Sequence, residues 1–221
     1  MKLVACCMVV LIAWFAWAGA PVSYAGDGNN ISAVNSSVKA AEGQTYGTLS
    51  TVNGDVRVGR SATADEAKTV NGSITLENDA RLGEVSTVNG SVNISEGVAI
   101  ERNAHTVNGD VEMDKRSRVG GEVSTVSGDI ELEGAEVGGQ LRTVNGDIEL
   151  TEGAHVRGGI YVKKPKGSSW GWGKDKDERV KVSICSTCVV DGELRFERAV
   201  ELRVESGAKI GKVIGDDVLR R

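Results

Sequence analysis

The residues able to do chemistry in this 221-residue chain are few, and their spacing says most of what they can do. His105 and His155 are the only imidazoles, and neither has a serine or cysteine at a spacing that implies a nucleophile and its base. Both are therefore read as surface or turn residues, and no catalytic constellation is expected. Cys185 and Cys188 form a C-x-x-C pair. In an oxidising compartment, without a βαβ context or a nearby histidine, that pair predicts a disulfide pinning a local bend. Free or redox-active thiols are one alternative; a structural zinc, the other, would need two more ligands.

Carboxylates recur in register. Asp110, Asp129 and Asp147 share one repeat position, Glu112, Glu131 and Glu149 another, and Asp114 and Glu133 a third. Acidic side chains stacked about 4.8 Å apart repel one another and would gain from a hard cation such as calcium. The carbonyl-rich loop of a dedicated calcium site is missing, so a solvated face is expected, with no metal and no cofactor. A different chemistry is offered by residues 163–179, KKPKGSSWGWGKDKDER, where Lys163, Lys164 and Lys166 precede Trp170 and Trp172. Indoles in a Gly/Ser loop can contact a glycan, a membrane surface or a protein, or fold back on their own domain.

What must position these groups is a repeat. TVNGDV or a near copy starts at Thr51, Thr69, Thr87, Thr106, Thr125 and Thr143, with a weaker AVNSSV at Ala33, a period of 18 or 19 residues. Units of that size cannot bury a core alone, so each copy predicts one coil of a solenoid stacked on its neighbours. Within a coil the apolar residues follow a sub-period of six, as in the hexads beginning at Val70, Leu76 and Leu82. Three hexads make a triangular turn of three short strands.

Stacking predicts inward columns. One is Val52, Val70, Val88, Val107, Val126 and Val144; the second Val56, Ile74, Val92, Val111, Ile130 and Ile148; the third Val58, Leu76, Ile94, Met113, Leu132 and Leu150. Like on like, with alternation along each strand, is the pattern of parallel in-register pairing. Asn35, Asn53, Asn71, Asn89, Asn108 and Asn145, with Ser127 in the series, predict a structural ladder of side-chain amides. The glycine that usually follows lets the chain turn. After residues 163–179 the hexads resume, so the expected fold is an all-β, single-domain parallel β-helix of roughly nine coils with one inserted loop.

Residues 1–25 read as a secretory signal: Lys2, an apolar stretch from Leu3 to Trp17, then the small-residue site Ser23-Tyr24-Ala25. Cleavage leaves residues 26–221 as the β-helix domain; retention would leave an anchor long enough to span a bilayer, the one expected route to membrane contact. Lys2 is the only charged residue of the segment, so its removal takes the formal charge from −5 to −6. No basic footprint for nucleic acid is present. A periplasmic, secreted or cell-surface location in a bacterium follows from the signal.

At residues 119–160, VGGEVSTVSGDIELEGAEVGGQLRTVNGDIELTEGAHVRGGI, the V-x-G-x-V/I/L hexads resemble those of bactofilins, the polymer-forming bacterial scaffold proteins. The chain is also similar to the β-solenoids grouped as putative adhesins. The first resemblance implies end-to-end self-association, the second an adhesive scaffold contacting envelope protein or glycan, here through Lys163, Lys164, Lys166, Trp170 and Trp172. The signal segment departs from the bactofilin pattern. A third resemblance, to hexapeptide-repeat acyltransferases, implies a catalytic histidine at an intersubunit cleft and an acyl carrier or coenzyme A donor. The favoured expectation is a noncatalytic exported scaffold, and the enzyme the least favoured.

Overall fold

The computed structural model describes residues 24–26, 29–165 and 179–221, so Lys166, Trp170, Trp172 and most of the signal segment lie outside the described residues. The described chain is an all-β parallel solenoid with no helix. One face is built from ten short strands in parallel register: Val38–Ala40, Val56–Val58, Ile74–Leu76, Val92–Ile94, Val111–Met113, Ile130–Glu133, Ile148–Thr151, Val180–Ile184, Val200–Val204 and Val218–Arg220. Ten rungs are one more than the hexads suggest, because Val218–Arg220 adds a last rung on Val200–Val204.

The other two faces begin as single six-residue strands, Thr45–Ser50, Thr63–Lys68 and Arg81–Ser86. From Ala99–Ile100 and Ala104–His105 onward they separate into two short strands per coil, both still paired with Arg81–Ser86 below. The cause is local: two residues separate the inward Leu82 and Val85, whereas three separate Ile100 and Ala104, and the extra residue makes a corner. At the opposite end Tyr24–Gly26 runs antiparallel along Asn30–Ser32 and covers that strand's edge.

Two of the expected core columns are inward: Val56 through Ile148 and Val58 through Leu150 are buried throughout. The valine column is a correction. Val52, Val70, Val88 and Val126 are 38–41% exposed and Val107 and Val144 half-buried, and the inward residue is the preceding threonine, with Thr51, Thr69, Thr87, Thr106, Thr125 and Thr143 all at most 4% exposed. In a strand a shift of one residue reverses the face. Five of these six threonines can take the inward place because the hydroxyl finds a carbonyl on the coil below, whereas Thr143 Oγ1 is buried without a partner among the described residues. Oγ1 of Thr51, Thr69, Thr87, Thr106 and Thr125 donates to Ser36, Gly54, Gly72, Gly90 and Gly109 respectively at 2.8–3.0 Å.

This parity has a measurable consequence. Val88→Thr is expected to change stability by less than about 0.5 kcal/mol, whereas Thr87→Ala, which removes the bond to Gly72, should cost about 1–2 kcal/mol. Equal losses in urea unfolding would place both side chains wrongly.

Candidate functional site

The exposed valines form a ridge along one edge of the solenoid, beside the asparagine ladder. The ladder is real: Nδ2 of Asn53, Asn71, Asn89 and Asn108 donates to Oδ1 of Asn35, Asn53, Asn71 and Asn89 at 2.8–2.9 Å. Backbone bridges carry the column on through Ser127 to Asn145. The chain of amides stops at Ser127, however, and Asn145 is held differently: its Oδ1 accepts from Arg198 Nη1 at 2.6 Å. On the other side of the buried threonines stand Ser50, Lys68, Ser86, His105 and Ser124. The edge from Val34 to Ser127 therefore exposes valine and amide, flanked by Lys68 on one side and by Asp55, Asp110 and Asp129 on the other.

The ridge ends where the inserted segment begins. Lys163 N–H donates to the Thr143 carbonyl at 2.9 Å, which continues the stack for one position before the chain departs. The root is braced by groups that spacing did not reveal. Glu197 accepts from the Tyr161 hydroxyl at 2.5 Å and from Lys164 N–H at 3.4 Å, and these two bonds, the phenol first, hold its carboxyl below the usual range. Arg142 lies 5.6 Å over the Tyr161 ring, and Arg179, where description resumes, pairs with Asp217 at 2.6 Å. Of the expected contact residues only Lys163 and Lys164 are thereby placed, both at the root.

The carboxylates stand as their register implied, with Glu112, Glu131 and Glu149 paired in turn on adjacent strands. Crowding tells on the middle one. Glu131 has its pKa raised by partial desolvation first, and then by Glu112 and Glu149. Lys115 relieves only the rim, bonded to Glu152 at 2.7 Å and Glu133 at 3.0 Å. Among the described residues no group of three or more His, Cys, Asp or Glu is arranged to hold a metal ion. A folded-state pKa above the unfolded value means the penalty is absent at low pH and is imposed as pH rises through the carboxylate range. Glu131→Gln should therefore raise the melting temperature slightly near pH 7, by at most a few tenths of a kcal/mol at this exposed site, and leave it unchanged near pH 3. A loss of stability near pH 7 would contradict the repulsion.

His105 is exposed beside the ridge, and His155 Nε2 meets Asp191 Oδ2 at 2.7 Å on the next coil. The two imidazoles belong to different columns: His105 is paired with Ser86 and Ser124, His155 with Glu136 and Val189. Cys185 and Cys188 are joined, S–S 2.09 Å, across the turn after Val180–Ile184. Cys188 is fully buried in the small-residue column that holds Ala135 and Ala154 in earlier coils, so the bridge ties a surface turn to the core.

These features define a parallel β-solenoid repeat protein in which an edge of valines and asparagines runs to the root of an inserted segment. Comparison with protein-family models, curated proteins and solved structures returns no match.

Proposed function

We propose that this chain is a noncatalytic, exported envelope scaffold that binds a partner along its valine–asparagine edge and the segment rooted there. The observation that supports this reading most is the coincidence of the two on one edge: the column of valines exposed at Val34, Val52, Val70, Val88 and Val126 and half-buried at Val107 and Val144 continues at Lys163, where the tryptophan-bearing segment begins. A rigid ladder presents its side chains at a fixed spacing, so a partner gains from many weak contacts with little ordering cost. The adhesin-like resemblance agrees with it.

The test uses the mature chain and a bacterial envelope fraction. Val70→Asp with Val88→Asp should leave the β-sheet circular dichroism intact and reduce retention at least about tenfold, a loss of about 1.4 kcal/mol. Trp170→Ala with Trp172→Ala should abolish retention by the segment. Full retention by both double variants would end the proposal.

A second reading, end-to-end self-association of the bactofilin kind, is favoured by the last rung. Val218–Arg220 is paired with Val200–Val204 on one side, and Val204, Ile210, Val213 and Val218 are only partly buried there. Sedimentation of the mature chain at high concentration separates the readings, since a persistent monomer excludes filaments.

A further inference from the structure

Five Asn-Gly pairs occur in this chain, at Asn53, Asn71, Asn89, Asn108 and Asn145. Such pairs are the ones prone to deamidation, because an unhindered glycine nitrogen can attack the asparagine side chain. In four of them both reacting groups are occupied. The glycine N–H of Gly54, Gly72, Gly90 and Gly109 donates to the carbonyl of Asn71, Asn89, Asn108 and Ser127 at 2.9 Å. Their asparagine amides are donors in the ladder.

The fifth is different on each count. Gly146 N–H has no hydrogen-bond partner among the described residues, since the corner of the next coil is where residues 163–179 are inserted. Asn145 faces Ser127, so its amide has no side-chain carbonyl below to receive it. Its Oδ1 instead accepts from the Arg198 guanidinium at 2.6 Å, and the same Nη1 reaches the Val144 carbonyl at 2.8 Å.

We infer that Asn145-Gly146 is a built-in site of spontaneous deamidation, activated by Arg198 and singled out because the ladder protects the other four pairs. Gly146 nitrogen, losing its proton to hydroxide, forms a bond to Asn145 Cγ. The negative charge developing on Oδ1 lies against Arg198, where a fixed cation stabilises it. The Cγ–Nδ2 bond breaks and ammonia leaves with a proton from water. Water then opens the five-membered imide at either carbonyl, giving aspartate or isoaspartate. The net change is one water consumed and one ammonia released, with no oxidant or cofactor. The product carboxylate faces Arg198, so a neutral hydrogen bond becomes a charge-assisted one at the root of the inserted segment.

The experiment incubates the folded full chain in 18O-labelled water near pH 8 and maps label and isoaspartate by peptide mass spectrometry. Asn145 should acquire label about tenfold faster than any of the other four, as expected for the loss of at least one protecting bond of about 1–1.5 kcal/mol. In urea-unfolded chain the five rates should converge. Ser127→Asn, which gives the Asn145 amide an acceptor, should slow labelling, and Arg198→Ala should slow it severalfold. Equal rates in the folded chain, or an Asn145 preference that persists when unfolded, would overturn the site. Labelling unchanged or faster in Arg198→Ala would overturn the role given to the guanidinium.

Discussion

Gly109→Ala is expected to cost about 3 kcal/mol or more and to loosen the stack at its middle. The glycine sits at φ 149° at the Asn-Gly corner, and a Cβ built there would lie 2.5 Å from the Gly90 carbonyl carbon and closer still to its oxygen. Those atoms are backbone and cannot rotate away. The coil must lift away from Gly90, and lifting strains three hydrogen bonds across that interface: Gly90 N–H to the Asn108 carbonyl, Thr106 Oγ1 to the Gly90 carbonyl, and Asn108 Nδ2 to Asn89. At about 1 kcal/mol each their loss gives the figure stated, before any backbone strain is added. Chemical denaturation reads it directly. A loss below about 1 kcal/mol would mean that the coils are not held at the close approach described.

Leu132→Ala should be comparably severe for another reason. Leu132 is 1% exposed and lies between Met113 and Leu150 in its column. Removing the isobutyl group forfeits its transfer energy and leaves a cavity that stacked backbones at fixed spacing cannot close, a cost of about 2–5 kcal/mol. Because each coil touches only its neighbours, the damage stays local. The expected unfolding curve therefore broadens or splits, as the coils on either side of Leu132 lose their coupling. A sharp single transition with unchanged slope would contradict nearest-neighbour behaviour.

The sequence carried the fold through strict local regularities. Ile74 and Leu76 alternate with Thr75 and recur every coil, and that pattern alone defines two of the core columns. The valine column went astray because hydrophobicity ranks Val70 above Thr69 for burial. What reverses the order is the acceptor for the Thr69 hydroxyl, the Gly54 carbonyl, which lies on another coil and has no sequence signal. The Cys185–Cys188 link was legible because it is local. His155 with Asp191 and Asn145 with Arg198 were not, being 36 and 53 residues apart along a chain whose insertion breaks the repeat count. The ladder was legible, but its end was hidden, because Ser127 keeps the backbone bridge while lacking the amide.

The central claim, that the valine–asparagine edge is where this scaffold meets its partner, is tested most directly by a photo-crosslinking residue placed at position 88 on that edge. A second is placed at position 75 on the face formed by Ile74–Leu76. Both variants are exposed to the same envelope fraction. Capture of a discrete envelope component from position 88 and not from position 75 is the expected result. Equal capture from the two positions, or capture from position 75 alone, would contradict the claim.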